Sequence, residues 1–460
     1  MTDETNDRTR RQVLAAAAAA GLTATAGTLL PGRPARADDW PLKAQSGSTV
    51  YFRGWQYHPE IVQDNVDRYN KELGGKVDYA TVTGDYPSLM EKNLIAKADL
   101  DVLYANPSFC VRYFEGGWLS TPDQLPNGQA IIDAMYPNIR DAWTYKGKLL
   151  GLSYYTSTRG IVAVFLDKYK KAGFEEAEFP KTWPELYAML YKFRDKGEKQ
   201  PYLPAWYNEW SGIAWAYNYE VMNRGGAIAD AETHKPTLTV DGPGGATLED
   251  WKKLWKDGFV PEEVITYTEA ALIDAFRSGR YVFSPQTIYD LQQLNDPQKS
   301  AQVAGKISFL PYQGQPWGIV DGALYLMTSR KRPQALTDDV KRFISWYGYK
   351  DQNGKIFVAE RWLKESMLFS AYKELMEAPD TAAIIKKQLA RPEDYEQAMK
   401  IYQTAPYPKG AWNVVWAEEF NGWLKDKLLA FVQNDLKTAD VIKDTNDKIE
   451  QLNHKYKIKT

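Results

Sequence analysis

Between residues 49 and 104 short β-branched strands alternate with amphipathic helices, and this alternation restricts the fold more than any other feature of the chain. Residues 49–52, 77–82 and 101–104 read as strands, and 59–73 and 87–98 as the helices between them. Strands separated by helices of this length pair in parallel, with the helices laid on the faces of the sheet and the crossovers right-handed. Further strands are expected at 161–166, 281–284, 306–310 and 323–328, and after Pro333 nearly everything reads as helix. Thr182, with Pro184 and Glu185 behind it, forms a capping box for another helix. Gly242-Pro243-Gly244-Gly245 reads as a turn. With 460 residues, no internal repeat and no low-complexity linker, two interwoven α/β lobes fit better than separate domains in a row.

The first 37 residues form an address. Polar residues up to Thr9 precede Arg10-Arg11, an apolar stretch of small residues over 13–30, and Ala35-Arg36-Ala37. That order is the one a cleaved export signal requires. Thr9-Arg10-Arg11-Gln12-Val13-Leu14 resembles the twin-arginine consensus, and the low Leu, Ile and Phe content argues against a membrane anchor. Cleavage near Ala37, with no cysteine there for a lipid anchor, predicts a soluble periplasmic protein.

Composition removes several classes of function. There are 57 basic and 59 acidic residues, so no basic footprint points to nucleic acid. Cys110 is the only cysteine, and His58, His234 and His454 are the only histidines and lie far apart; no metal site and no cofactor are expected. Gly-x-Ser-x-Gly, His-Glu-x-x-His and Gly-x-x-x-x-Gly-Lys motifs are absent. What stands out is the aromatic content, 16 Trp, 30 Tyr and 16 Phe.

Several segments, taken in order, resemble the extracellular family 1 solute-binding proteins of ABC importers, the group of maltose- and other sugar-binding proteins. They are Leu100-Asp101-Val102-Leu103-Tyr104 with Glu115-Gly116-Gly117-Trp118-Leu119, the run 147–160, Asp167-Lys168-Tyr169-Lys170-Lys171-Ala172-Gly173-Phe174, Pro180-Lys181-Thr182-Trp183-Pro184-Glu185-Leu186, Ala275-Phe276-Arg277-Ser278-Gly279-Arg280 and Phe309-Leu310-Pro311. Leu100 and Ser153 stand where the family commonly has proline. The resemblance implies a periplasmic-binding-protein-like α/β fold, with lobe one at 38–152 plus 285–330 and lobe two at 153–284 plus 331–460. It also implies a sugar, oligosaccharide or polyol held in the cleft, ABC permease subunits as partners, and a monomer without enzymatic activity.

A sugar presents hydroxyls at its rim and C–H faces above and below, so its site needs flat rings and edge carboxylates, amides or arginine. Segments with that mixture supply the candidates. They are Trp55 and Gln56 after the first strand, Tyr86 after the second, Tyr104 and Asn106 after the third, Tyr155 and Arg159 at the first crossing, Trp206, Glu209 and Trp210, Asp321, and Trp412 and Trp416. Trp55, Tyr104, Trp210 and Trp412 are the principal stacking candidates. Trp215, Tyr217, Trp251, Trp255, Trp346 and Trp423 sit at helical spacing and read as helix packing. Arg159 either clamps an anionic group on the ligand or holds the hinge in an ion pair. The competing class is an exported enzyme. Glu209 or Glu418-Glu419 would serve a glycosidase, and the twin-arginine signal would suit an oxidoreductase, although the Cys and His ligands of a redox centre are lacking.

Overall fold

The computed structural model describes residues 41–311 and 320–459, the side chains of 154 and 320–327 excepted. The export signal expected over 1–37, with its twin arginines and the cleavage position near Ala37, lies outside the described residues.

The alternation at the start of the chain is observed. β1 (Val50–Gly54), α1 (Pro59–Leu73), β2 (Val77–Thr81), α2 (Tyr86–Ile95), β3 (Val102–Ala105) and α3 (Pro107–Glu115) follow one another, and β1 pairs in parallel with both β2 and β3. Local chemistry sets the ends of α1. Pro59 opens it, where a missing N–H costs nothing, and Gly74 closes it at φ 66°, a conformation open to glycine without a steric penalty.

The remaining strands are β4 (Leu119–Ser120), β5 (Thr144–Tyr145), β6 (Lys148–Leu149), β7 (Leu152–Thr158), β8 (Ile161–Phe165), β9 (Phe283–Gln286), β10 (Ile307–Phe309) and β11 (Val320–Thr328). The first sheet runs β2-β1-β3-β11-β4, with β7 also paired to β11; the second runs β10-β8-β9. β5 and β6 form a small hairpin. The first sheet is mixed, because β11 returns antiparallel to β3, β4 and β7. All pairs of the second sheet are antiparallel. β8, Ile-Val-Ala-Val-Phe, is buried at every position, as expected of a strand covered on both faces.

Sheet membership corrects the lobe boundaries read from the sequence. β7 belongs to the first sheet, so the first crossing falls at Arg159-Gly160, between β7 and β8, and not at 152–153. β10 pairs with β8, which moves residues around 307–309 out of the first lobe. Helix Gln334–Gly348 packs on β1, β7 and β11 and so belongs with the first sheet. Strand pairing joins residues over a hundred positions apart, and no local pattern reports it.

Each sheet has its own aromatic core. Phe52 lies within 5.0–6.0 Å of the rings of Tyr79, Tyr104, Phe343 and Tyr347. Beside the second sheet Tyr169 meets Phe174, Phe193 and Phe283. At helix Trp183–Asp195 Thr182 caps as expected, its hydroxyl accepting from the Glu185 amide at 3.3 Å. The Glu185 carboxylate, however, accepts from the Lys181 amide (2.8 Å), one residue before the capping-box position. Gly242–Gly245 is not a free turn but the start of helix Pro243–Lys256. A Cβ on Gly245 would stand 1.8 Å from the Val240 carbonyl oxygen, so this helix start requires glycine. Among the described residues no helix is long and apolar enough to cross a membrane.

Candidate functional site

A cavity of about 860 Å³ opens where the two sheets meet. Its first wall comes from residues just beyond the carboxyl ends of strands: Trp55 to Tyr57 after β1, Val82 to Gly84 after β2, Asn106 and Phe109 after β3. Open α/β sheets expose backbone and loop groups at those ends, which is where ligands enter. Tyr155 and Ser157 of β7 and Arg159 of the crossing form its floor. The opposite wall belongs to the second sheet's side, with Glu209, Trp210, Trp215, the helix Glu269–Arg277 and Tyr289.

The rings are held rigidly. Trp55 is braced by Tyr104 at 5.2 Å, Tyr86 at 5.5 Å and Phe109 at 6.4 Å, and the Tyr86 hydroxyl is itself fixed by the Tyr104 carbonyl at 3.0 Å. Tyr57 stacks on Trp362 with an interplanar angle of 13° and reaches Tyr155 and Tyr289 at 6.4 and 6.2 Å. On the other wall Trp210 stays 42% exposed at φ 50°. A bulky residue in the left-handed region is strained, and such strain concentrates at ligand sites.

Charge gathers on the Trp210 side. Arg159 pairs with Glu269 at 3.1 Å and lies 4.2 Å over the Trp215 ring. The Glu269 amide donates to the Glu209 carboxylate at 3.0 Å, which ties the loop carrying Trp210 to the helix start. Arg277 pairs with Asp274 and holds Ser300 at 2.9 Å and Gln293 at 3.1 Å. Behind this wall Asp290 is buried and accepts from the Thr287 amide and hydroxyl. Burial, with the Glu269 charge added, pushes its carboxyl up to about 6. Among the described residues no group of three or more His, Cys, Asp and Glu is arranged to hold a metal ion.

Trp55, Gln56, Tyr86, Asn106, Tyr155, Arg159, Glu209 and Trp210, all candidates from the sequence, are brought together on this one cavity. Four other candidates do not reach it. Tyr104 is fully buried behind Trp55. Trp206 is buried in the core of the second lobe, against Trp251 at 4.8 Å and Trp255 at 6.4 Å. Trp416 is buried with its indole N–H donated to Asn453 at 2.9 Å. Trp412 is buried against Trp215 at 5.9 Å and supports that ring from behind. Asp321 has its backbone in β11 opposite Ser157, and its side chain lies outside those described.

Trp215, read as helix packing, instead faces the cavity. Sequence reasoning also passed over Glu269, Asp274 and Arg277. Their signal was present, since 269, 273, 274 and 277 fall on one helical face.

Two α/β lobes, joined by a crossing and closing on a cavity walled by braced aromatics and carboxylates, define a bilobal ligand-binding protein. The family of bacterial extracellular solute-binding proteins matches residues 65–360, and the chain belongs to that family. No curated protein matches the sequence. Among solved structures the fold is similar to that of a maltose-bound T. maritima MalE3, with TM-score 0.72, 15% identity, and 88% of this chain and 99% of that one covered. It is also similar to an ABC transporter solute-binding protein from Agrobacterium radiobacter in complex with ribitol, with TM-score 0.73, 18% identity, and 90% and 100% covered. A third, from Agrobacterium vitis with bound D-mannitol, has TM-score 0.70 and 16% identity, with 89% and 99% covered.

Proposed function

We propose that the chain is the periplasmic binding component of an ABC importer, and that it captures a sugar or polyol in the cleft and hands it to the permease. The observation that carries this reading is a pair of indoles, the braced Trp55 from one lobe and the exposed Trp210 from the other, on a cavity edged by Glu209, Glu269 and Arg159. Flat rings suit C–H faces, and charged edges suit hydroxyls. The volume lies within the range of small-molecule sites, roughly 300–1,000 Å³. The sugars and polyols named for the similar structures support the same class of ligand. In this reading the ligand bridges both lobes and shifts the protein toward a closed form by its differential affinity for the two. The protein acts as a monomer, without cofactor and without turnover, after twin-arginine export.

A thermal-shift screen of the mature chain against sugars and polyols tests it. At least one should raise the melting temperature and change tryptophan fluorescence, and the ligand should be recovered unchanged. A reaction product in the same incubation would overturn the binding reading in favour of a carbohydrate-active enzyme.

A further inference from the structure

The cavity is not uniform in charge. Around Trp55 its walls are rings and amides, whereas at the other end Glu209, Glu269 and Asp274 face two guanidiniums, Arg159 and Arg277, with no lysine or histidine among the described lining residues. From that end a narrow recess of about 20 Å³ continues inward between Arg159, Glu269, Thr287 and Asp290, room for one water-sized group. Asp290, buried to 2% exposure, adds a fourth carboxylate, so carboxylates outnumber guanidiniums by two. Both arginines are also committed within the protein, Arg159 to Glu269 and the face of Trp215, Arg277 to Asp274, Ser300 and Gln293. Among the described residues Glu209 accepts only from the Glu269 amide, which leaves one of its oxygens for a ligand donor.

A hydroxyl in this place gains a hydrogen bond and nothing from the field. A carboxylate or phosphate is repelled by it. A protonated amine brings three donors and a positive charge, and the indole of Trp210 beside it offers a ring face on which a cation is stabilised. We propose that this end of the cleft takes a protonated amine, so that the ligand is an amino-substituted sugar or polyol, with Glu209 and Glu269 as the residues that read its charge. The proposal rests on the sugar-or-polyol reading of the cleft and narrows it.

The test is calorimetric titration of the mature protein at pH 7 with matched pairs of hexoses, hexitols, pentitols and disaccharides, each neutral compound beside its amino-deoxy analogue. In at least one pair the amine should bind about tenfold more tightly than its neutral partner. Glu209→Gln and Glu269→Gln should each weaken the amine more than its neutral partner and so shrink that ratio to about threefold or less, and added salt should shrink it in the wild type. Neutral members binding as tightly as their amines would overturn the amine proposal and leave the sugar-or-polyol reading standing. Failure of both members of every pair to bind would overturn that reading and the proposal with it. An amine preference unchanged in both variants would overturn the assignment to these two carboxylates.

Discussion

Replacing Trp210 separates its two roles, as a ligand platform and as a strained backbone position. The ring exposes 42% of its surface, about 100 Å² of the roughly 250 Å² a tryptophan carries. Covering that area with the C–H face of a ligand, at about 25 cal/mol per Å², contributes about 2.5 kcal/mol, or about 60-fold in affinity. Trp210→Ala and Trp210→Gly should therefore both weaken binding by that factor. Their stabilities should differ, because at φ 50° an L-residue pays about 1–2 kcal/mol that glycine avoids. After allowance for the extra chain entropy glycine loses, Trp210→Gly should be more stable than Trp210→Ala by about 1 kcal/mol, the reverse of the usual order in helices and strands. Titration calorimetry with the best ligand of the screen, and urea unfolding of both variants, supply the readouts. Affinities within twofold of wild type would refute the platform role. An alanine variant as stable as the glycine one would refute the backbone argument.

Three further outcomes follow from named contacts. The Asp290 carboxyl is raised from about 3.8 to about 6, so between those pH values the folded state holds a proton that the unfolded chain has released; stability should fall by about 3 kcal/mol as pH rises through that window, and Asp290→Asn should flatten the slope in urea melts. Trp206→Ala removes a ring buried against Trp251 and should cost about 3–5 kcal/mol, while ligand affinity of the folded protein, measured by calorimetry, stays within twofold of wild type. Thr182→Ala removes the cap on the Glu185 amide and should cost about 1 kcal/mol in thermal unfolding, with binding unchanged.

Local chemistry made much of this molecule readable. α1, between Pro59 and Gly74, has the bounds its capping residues predict, and β1, β2 and β3 lie within two residues of their expected positions. Long-range pairing was not readable: nothing in Ile307–Phe309 indicates β8 as its partner, and nothing around Leu152–Thr158 indicates that it stays with the first sheet. The same limit applies to single rings. Trp206 and Trp210 are four residues apart in one aromatic-rich loop, yet one is buried to 1% exposure and the other projects at 42%. Their residue type carries no information about which way each faces. Trp215 and Trp412 show the converse, a contacting pair in which the expected packing residue fronts the cavity and the expected ligand residue supports it. Carboxylates were harder still to place, since Glu269 gains its meaning only from Arg159, 110 residues away.

In the proposed function a sugar or polyol is held between the two lobes by Trp55 and Trp210. A crystal structure of the mature protein with the best ligand from the screen tests it most directly. One ligand should occupy the cavity, with C–H faces within van der Waals contact of both indoles and polar groups on Glu209 or Glu269. Ligand bound elsewhere on the molecule, or in the cavity without contact to either indole, would contradict it.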